Sequence, residues 1–404
     1  MKRLAIVTAL ALILAAPHAL AKTKAKAARP VAAQPVASVN APRLIVAIAV
    51  DQFSADLFAE YRSRFTGGLK RLADGAVFPS GYQSHAATET CPGHSTILTG
   101  DRPARTGIIA NNWLDQGTAR SDKRIYCAED ETVEGSNAEN YTVSPVHLRV
   151  PTLGDRMKAA NPASRSVSVS GKDRAAVMMG GHNADETWWW NSRGFISYKG
   201  KPVPVPVAAV NARLEDFLSH PMPAPTLPAG CAGKVSAIQV GGHSVGGART
   251  PLEAGDGRGF RTLVAFDEAT LEIAGGLAEE MKLGQGGAPD ILAVSLSATD
   301  YVGHTFGTEG PEMCAQLLGM DAALEAFFAR LDATGVDYAV ALTADHGGHD
   351  LPERIDRQAF PAAARALASI APAALNQAVA ADIGYQGFLF AGDAPFGDLY
   401  LAKD

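Results

Sequence analysis

The sequence is poor in cysteine, carries no long run of like charge, and beyond its first twenty residues has no apolar stretch long enough to span a bilayer. Its cysteines are Cys91, Cys127, Cys231 and Cys314. No two of them form a Cys-x-x-Cys pair, which excludes a thiolate zinc cluster. In an oxidising compartment they allow three full disulfide pairings, and spacing does not choose among them. Cys91, beside Thr90, is expected to stay free. The formal net charge is −6, with Lys and Arg scattered, so nucleic acid is not an expected partner. Phosphorylated small molecules are not excluded, because a local metal site outweighs net charge. Internal repeats are absent, and no histidine follows His349.

The chain begins Met1-Lys2-Arg3, continues apolar from Leu4 to Ala16, and reaches Ala19-Leu20-Ala21. A basic start, a short apolar core and a small-x-small ending predict a signal peptide over 1–21, cleaved after Ala21. Residues 22–40, rich in Ala, Lys and Pro, read as a flexible leader. The mature protein is expected in the periplasm or the medium, with no membrane contact after cleavage. A monomer is expected.

Residues 41–404 carry the fold. Leu44–Val50 and Ile291–Ser297 are apolar runs of strand length, as buried parallel strands require, and Tyr338–Ala344 is a further strand. Ser166–Ser170 and Trp188–Trp190 add two more. Helical patterns separate them, over about 55–74, 175–179, 265–283, 311–333 and 356–370. Alternation of this kind predicts an α/β fold with a mostly parallel central sheet flanked by helices. Residues 112–165 and 198–260, polar or dense in Pro and Gly, are expected to form cap or long-loop material. A short strand is expected at 388–390.

Three acidic residues follow three of these strands: Asp51, Asp300 and Asp345. All should lie on one edge of the sheet, where ligands of open α/β sheets bind. Two are accompanied by histidines, as Asp300-x-x-x-His304 and Asp345-His346. Carboxylate oxygens with imidazole nitrogens suit zinc or a similar divalent ion. Thr88 to Gly100 reads as a loop turning into a helix, with Pro92 at the first helical position and Gly100 just past the end. Thr90 then sits at a helix N-terminus, a natural anion site. A threonine hydroxyl is a poor nucleophile until a base or metal activates it. Two cations about 4 Å apart would clamp an in-line displacement. Lys172 and Arg174, two apart at a strand-to-helix turn, can both address non-bridging phosphoryl oxygens. A doubly charged monoester gains more from them than a diester does. His85, His94, His182 and His243 read as hydrogen-bonded structural histidines, Trp188–Trp190 as packing and Asn112 as a turn residue.

Asp51, Thr90-x-Pro92-x-His94, Gly107-Ile108-Ile109-x-Asn111, Asp300-x-x-x-His304 and Asp345-His346-Gly347 together resemble the alkaline phosphatase superfamily. Within it they resemble the nucleotide pyrophosphatase/type I phosphodiesterase branch and the secreted bacterial alkaline phosphatases with a threonine nucleophile. The resemblance covers about residues 43–350. It implies a phosphothreonine on Thr90 and two Zn²⁺ ions, one held by Asp51, Asp345, His346 and Thr90, the other by Asp300 and His304. Asn111 would hold a phosphoryl oxygen, and the substrates would be small phosphate esters. Sulfatases carry an oxidisable Cys or Ser where this chain has Thr90.

The family pattern also has a late histidine on the Asp300/His304 metal, and this sequence has none. The expectation is therefore a chain incomplete at its C-terminus, with a weakened second metal. Phosphomonoester hydrolysis is the leading reading. The alternatives are a phosphodiesterase or nucleotide pyrophosphatase, and an inactive metal-binding remnant.

Overall fold

The computed structural model describes residues 41–79, 81–247, 249, 251–357, 363–392 and 398–403. The expected signal peptide and leader lie outside the described residues. A six-stranded sheet forms the centre: β1 (Leu44–Val50), β2 (Ser166–Ser170), β3 (Glu186–Trp190), β4 (Phe195–Ile196), β5 (Asp290–Leu296) and β6 (Tyr338–Thr343). Its order is β6-β1-β5-β2-β3-β4. Every pairing is parallel except the edge pair β3–β4. The expected α/β fold with a mostly parallel sheet is the one observed.

The two faces of the sheet differ. Val46, Ile48 and Val50 point into the larger core, with Val294, Leu296, Phe266, Leu317 and Phe328. That side is covered by α4 (Val264–Glu280) and α6 (Pro311–Ala333). Ala47 and Ala49 point the other way and meet Leu98 and Met179, from α1 (Thr90–Thr99) and α2 (Asp173–Gly180). Small residues on that face let α1 lie close to the sheet. Gly93 allows the closest approach, since a Cβ there would collide with the backbone carbonyl of Asp345. A methyl in that position would push the Thr90 helix off the loop that follows β6.

Register explains the common edge. Ala49 pairs with both Thr343 and Ser295, and Val50 with Leu296. Three strands therefore end level, and the Asp51 amide donates to the Leu296 carbonyl at 3.0 Å.

Several expectations need correction. Helix α1 begins at Thr90, two residues before Pro92, while Gly100 does end it with φ +71°. Cys91 is not free but bonded to Cys127, and Cys231 is bonded to Cys314. The Cys91 side chain turns away from the sheet edge into a small buried cluster with Ile108, Leu148 and Met178. Loops closed by 36 and 83 residues each contribute roughly 4 kcal/mol by the chain-entropy model. Residues 205–218, within the expected loop material, form α3 (Val205–Leu218), with Val207, Val210, Leu214 and Leu218 buried at helical spacing. The helix expected at 356–370 instead runs Pro352–Arg357; part of the expected range lies outside the described residues, and Ala368–Ile370 is a 3₁₀ turn. A further helix, Pro372–Ile383, carries no apolar periodicity that announced it. Near the end, Phe390–Ala391 pairs antiparallel with Tyr400–Leu401. No helix of the described residues is long and apolar enough to cross a membrane.

Candidate active site

Asp51 follows β1, Asp345 follows β6, and Asp300 sits in the first turn of α5 (Ala298–Phe306), directly after β5. All three carboxylates are buried. Lys172, at the start of α2, reaches into their midst. Its Nζ lies 2.7 Å from Asp51 Oδ2, 2.6 Å from Asp300 Oδ2 and 3.4 Å from Thr90 Oγ1. Arg174 Nη2 stands 3.5 Å from the same hydroxyl. The sequence-derived residues Asp51, Thr90, Lys172, Arg174, Asp300, Asp345 and His346 thus meet in one place.

His346 Nε2 lies 3.3 Å from Asp51, 3.5 Å from Asp345 and 4.0 Å from Asp300. Burial pulls its pKa down, but the Asp51 contact and the Asp345 charge outweigh that and raise it to about 9. Burial pushes the Asp345 carboxyl up; His94 and His346 more than offset it and hold the carboxyl at about 2. Asp51 and Asp300 also end below the ordinary carboxylate range. Burial and neighbouring carboxylates raise both, and Lys172 with the adjacent histidines reverses the sign. The Lys172 ammonium is held above its usual value, because Asp300 and Asp51 outweigh its desolvation.

His304 is four residues beyond Asp300 on α5, with Nε2 3.2 Å from Asp300 Oδ1 and a side chain 68% exposed. It approaches the cluster only through Asp300. Asn111 is tied to the start of α1: its Oδ1 accepts from the Cys91 amide at 2.8 Å, and its own amide donates to Glu89 at 2.6 Å. A cavity lined by Glu89, Asn111, Asn112 and Trp113 opens there.

Three contributors gave little sequence signal. Gln52 has φ +65°, a costly conformation for a residue with a Cβ. It spans the cluster, its amide donating to Asp345 Oδ1 and its Nε2 to Asp300 Oδ1, each at 3.0 Å. The Asp267 carboxylate accepts from the Ser297 and Ala298 amides and from Gln316, anchoring the start of α5. Its burial, helped by the Asp51 charge, outweighs those bonds and raises its pKa to about 7. His94, fully buried, has Nδ1 2.9 Å from the Thr90 carbonyl and 3.1 Å from Asp345 Oδ2, and Nε2 2.8 Å from Ser295 Oγ. Both neighbours of Nδ1 are acceptors, so that nitrogen carries the proton and donates.

A divalent metal fits these residues. Asp51 Oδ1 and Asp345 Oδ2 are buried and meet only imidazole nitrogens, the nearest being His346 Nε2 at 3.3 Å and His94 Nδ1 at 3.1 Å respectively, which leaves lone pairs on both oxygens for a cation. Asp51, Asp300 and His346 present ligand atoms within 4.8 Å of one another, as do Asp51, His94 and Asp345. The donor-type assignment of His94 Nδ1 removes it as a ligand in the second group. It fixes the Asp345 carboxylate instead, as outer-shell partners of metal ligands do.

Residues 45–368 match the family model described as type I phosphodiesterase / nucleotide pyrophosphatase. The chain is 56% identical to alkaline phosphatase PhoK of Sphingomonas sp, over 93% of this chain and 67% of that protein. It is 49% identical to alkaline phosphatase PhoD of Zymomonas mobilis, over 90% of this chain and 63% of that protein. The chain therefore spans about two thirds of the length of these relatives. The crystal structure of wild-type alkaline phosphatase PafA matches with a TM-score of 0.76 and 27% identity, over 90% of this chain and 73% of that one. A second PafA structure, of a variant altered at a threonine, an asparagine, a lysine and an arginine, matches with a TM-score of 0.77 and 26% identity, over the same shares of the two chains.

Proposed function

The chain belongs to the type I phosphodiesterase/nucleotide pyrophosphatase family of the alkaline phosphatase superfamily, and we propose that it hydrolyses phosphate monoesters through Thr90 as nucleophile. The observation that carries this reading is the convergence of three buried carboxylates from three strand ends, two of them, Asp51 and Asp300, on Lys172, with the Thr90 hydroxyl 3.4 Å from its ammonium. The curated relatives named alkaline phosphatases support it. So does the order of the four altered residues in the PafA variant, which is the order of Thr90, Asn111, Lys172 and Arg174, with the last two again two positions apart.

In this reading Asp51, Asp345, His346 and Thr90 hold one zinc ion, and Asp300 and His304 the other. When bound, the ions activate the hydroxyl and neutralise charge on the attacking and leaving oxygens. The chain's own residues do the rest. Thr90 Oγ1, at the positive end of α1, forms the bond to phosphorus as the ester P–O bond breaks and the alcohol leaves with a proton. Water then breaks the Thr90–phosphate bond, which frees orthophosphate and returns the hydroxyl. Lys172 and Arg174 address non-bridging oxygens, where charge-assisted bonds are strongest. The Asn111 carbonyl oxygen is occupied by the Cys91 amide, so its NH₂ is the end that meets a phosphoryl oxygen. Gln52 and His94 keep the carboxylates aimed. Residues 1–21 direct export to the periplasm or the medium.

Phosphate release from an aryl phosphate tests the proposal: activity should disappear with EDTA and in Thr90→Ala. A diesterase is the second reading, motivated by the family model. A diester preference that Lys172→Ala leaves untouched would favour it.

A further inference from the structure

Arg261 directly follows the short helix Gly257–Phe260. Its guanidinium stacks on the Tyr301 ring, with Cζ 4.3 Å from the centroid. Lys172 Nζ lies 5.1 Å from the same centroid, so the two cations are separated by no more than those two legs. Tyr301 also interacts electrostatically with Arg174. One aromatic ring therefore gathers a proposed phosphoryl-binding cation, Lys172, and a further one, Arg261.

Arg71, Arg120, Arg165, Arg330 and Arg354 each pair with a carboxylate, whereas none among the described residues pairs with Arg261. Its Nε is buried without a hydrogen-bond partner, and so is the Nε of Arg174. An unsatisfied buried donor on a cation costs more than one on a neutral group. The Arg261 one, on a guanidinium over the ring that also faces Lys172, marks a place built to receive negative charge. The lysine and Arg174 account for one phosphoryl group, which leaves Arg261 for a second anion.

We propose that Arg261, held in place by Tyr301, binds an anionic group on the leaving portion of the substrate, a carboxylate or a second phosphate, beside the phosphoryl group under attack. The proposal rests on the monoesterase reading above and adds a selectivity to it. Esters with a charged leaving portion should be favoured through KM, because the contact is the same in the ground and transition states.

The test compares phenyl phosphate, carboxyphenyl phosphate and pyrophosphate on the metal-loaded full chain, in wild type, Arg261→Met and Arg261→Lys. Methionine keeps apolar bulk on the ring, and lysine keeps the charge. Arg261→Met should raise KM for one or both charged substrates about tenfold with kcat little changed, and leave phenyl phosphate unaltered; Arg261→Lys should recover part of the loss. The carboxylate and pyrophosphate arms tell the two anions apart. An equal change on all three substrates, or none on any, overturns the proposal. Calorimetric titration with pyrophosphate and with orthophosphate gives a readout independent of turnover. Selective loss of pyrophosphate affinity in Arg261→Met supports the proposal with a second phosphate as the anion, and unchanged affinity together with an unchanged KM for carboxyphenyl phosphate overturns it. Failure of the wild type to hydrolyse phenyl phosphate would instead count against the monoesterase reading.

Discussion

The two sides of the site are built differently. Around Asp345 each group is locked: Asp345 and Asp51 are fully buried, His346 is 8% exposed, and His94, Gln52 and the His346 amide all hold the Asp345 carboxylate. Around Asp300 the protein reaches solvent within one helical turn, at the largely exposed His304. One side arrives pre-organised, with the cost of bringing carboxylates together already met by folding. The other presents one buried carboxylate and an exposed imidazole. Two metal affinities should follow, the tighter at Asp345 and the weaker at Asp300.

The largest effect falls where the two sides meet. Thr90→Ala should lower kcat for an aryl phosphate by about 10⁴-fold or more, while tight metal uptake at the Asp345 side survives. Lys172→Ala comes next, with a loss of about 10²- to 10³-fold on monoesters and a smaller loss on diesters. Equal losses on both would mean that Lys172 serves the carboxylates rather than the substrate. His94→Gln should weaken the tighter metal class by about 10- to 100-fold, and His304→Ala should weaken only the other class. A titration with a single affinity class, or one in which His94→Gln moves the weaker class, would erase the asymmetry.

The smallest effect concerns pH. The His346 pKa is raised to about 9 in the metal-free fold, so its ion pairing stabilises fully below the free-histidine value. That stabilisation is lost as pH rises through about 9. The EDTA-treated protein should therefore melt at a lower temperature above pH 9 than near pH 6. Metal binding needs the neutral imidazole, so affinity at the tighter site should rise over the same interval. A melting temperature of the metal-free protein that rises with pH would contradict this.

What could be read from the sequence follows the same division. Parallel strands advertise themselves as apolar runs, so the almost wholly buried Leu44–Val50 was visible, as was the edge strand Tyr338–Thr343 despite its partial exposure, and with them the acids at their ends. Asp300-x-x-x-His304 was visible as an acid just past a strand with a histidine close behind it. Gln52 was not, since nothing in its identity announces a positive φ. His94 read as a structural histidine, which its hydrogen bonds agree with, but only coordinates reveal that the residue it supports is Asp345. The Cys91–Cys127 bond depends on which way Cys91 faces from the first turn of α1, a direction that sequence spacing does not encode. Helix α3 kept its apolar spacing beneath a proline-rich surround, and composition hid the period.

The account stands on Thr90 becoming phosphorylated within this cluster. The most direct measurement is mass spectrometry of the metal-loaded protein, quenched in acid during turnover of an aryl phosphate and digested. One added phosphoryl group on the peptide that contains Thr90, absent in Thr90→Ala and in the EDTA-treated protein, is the predicted result. Phosphate released at full rate with that peptide unmodified, or a phosphoryl group found on another residue, would contradict it.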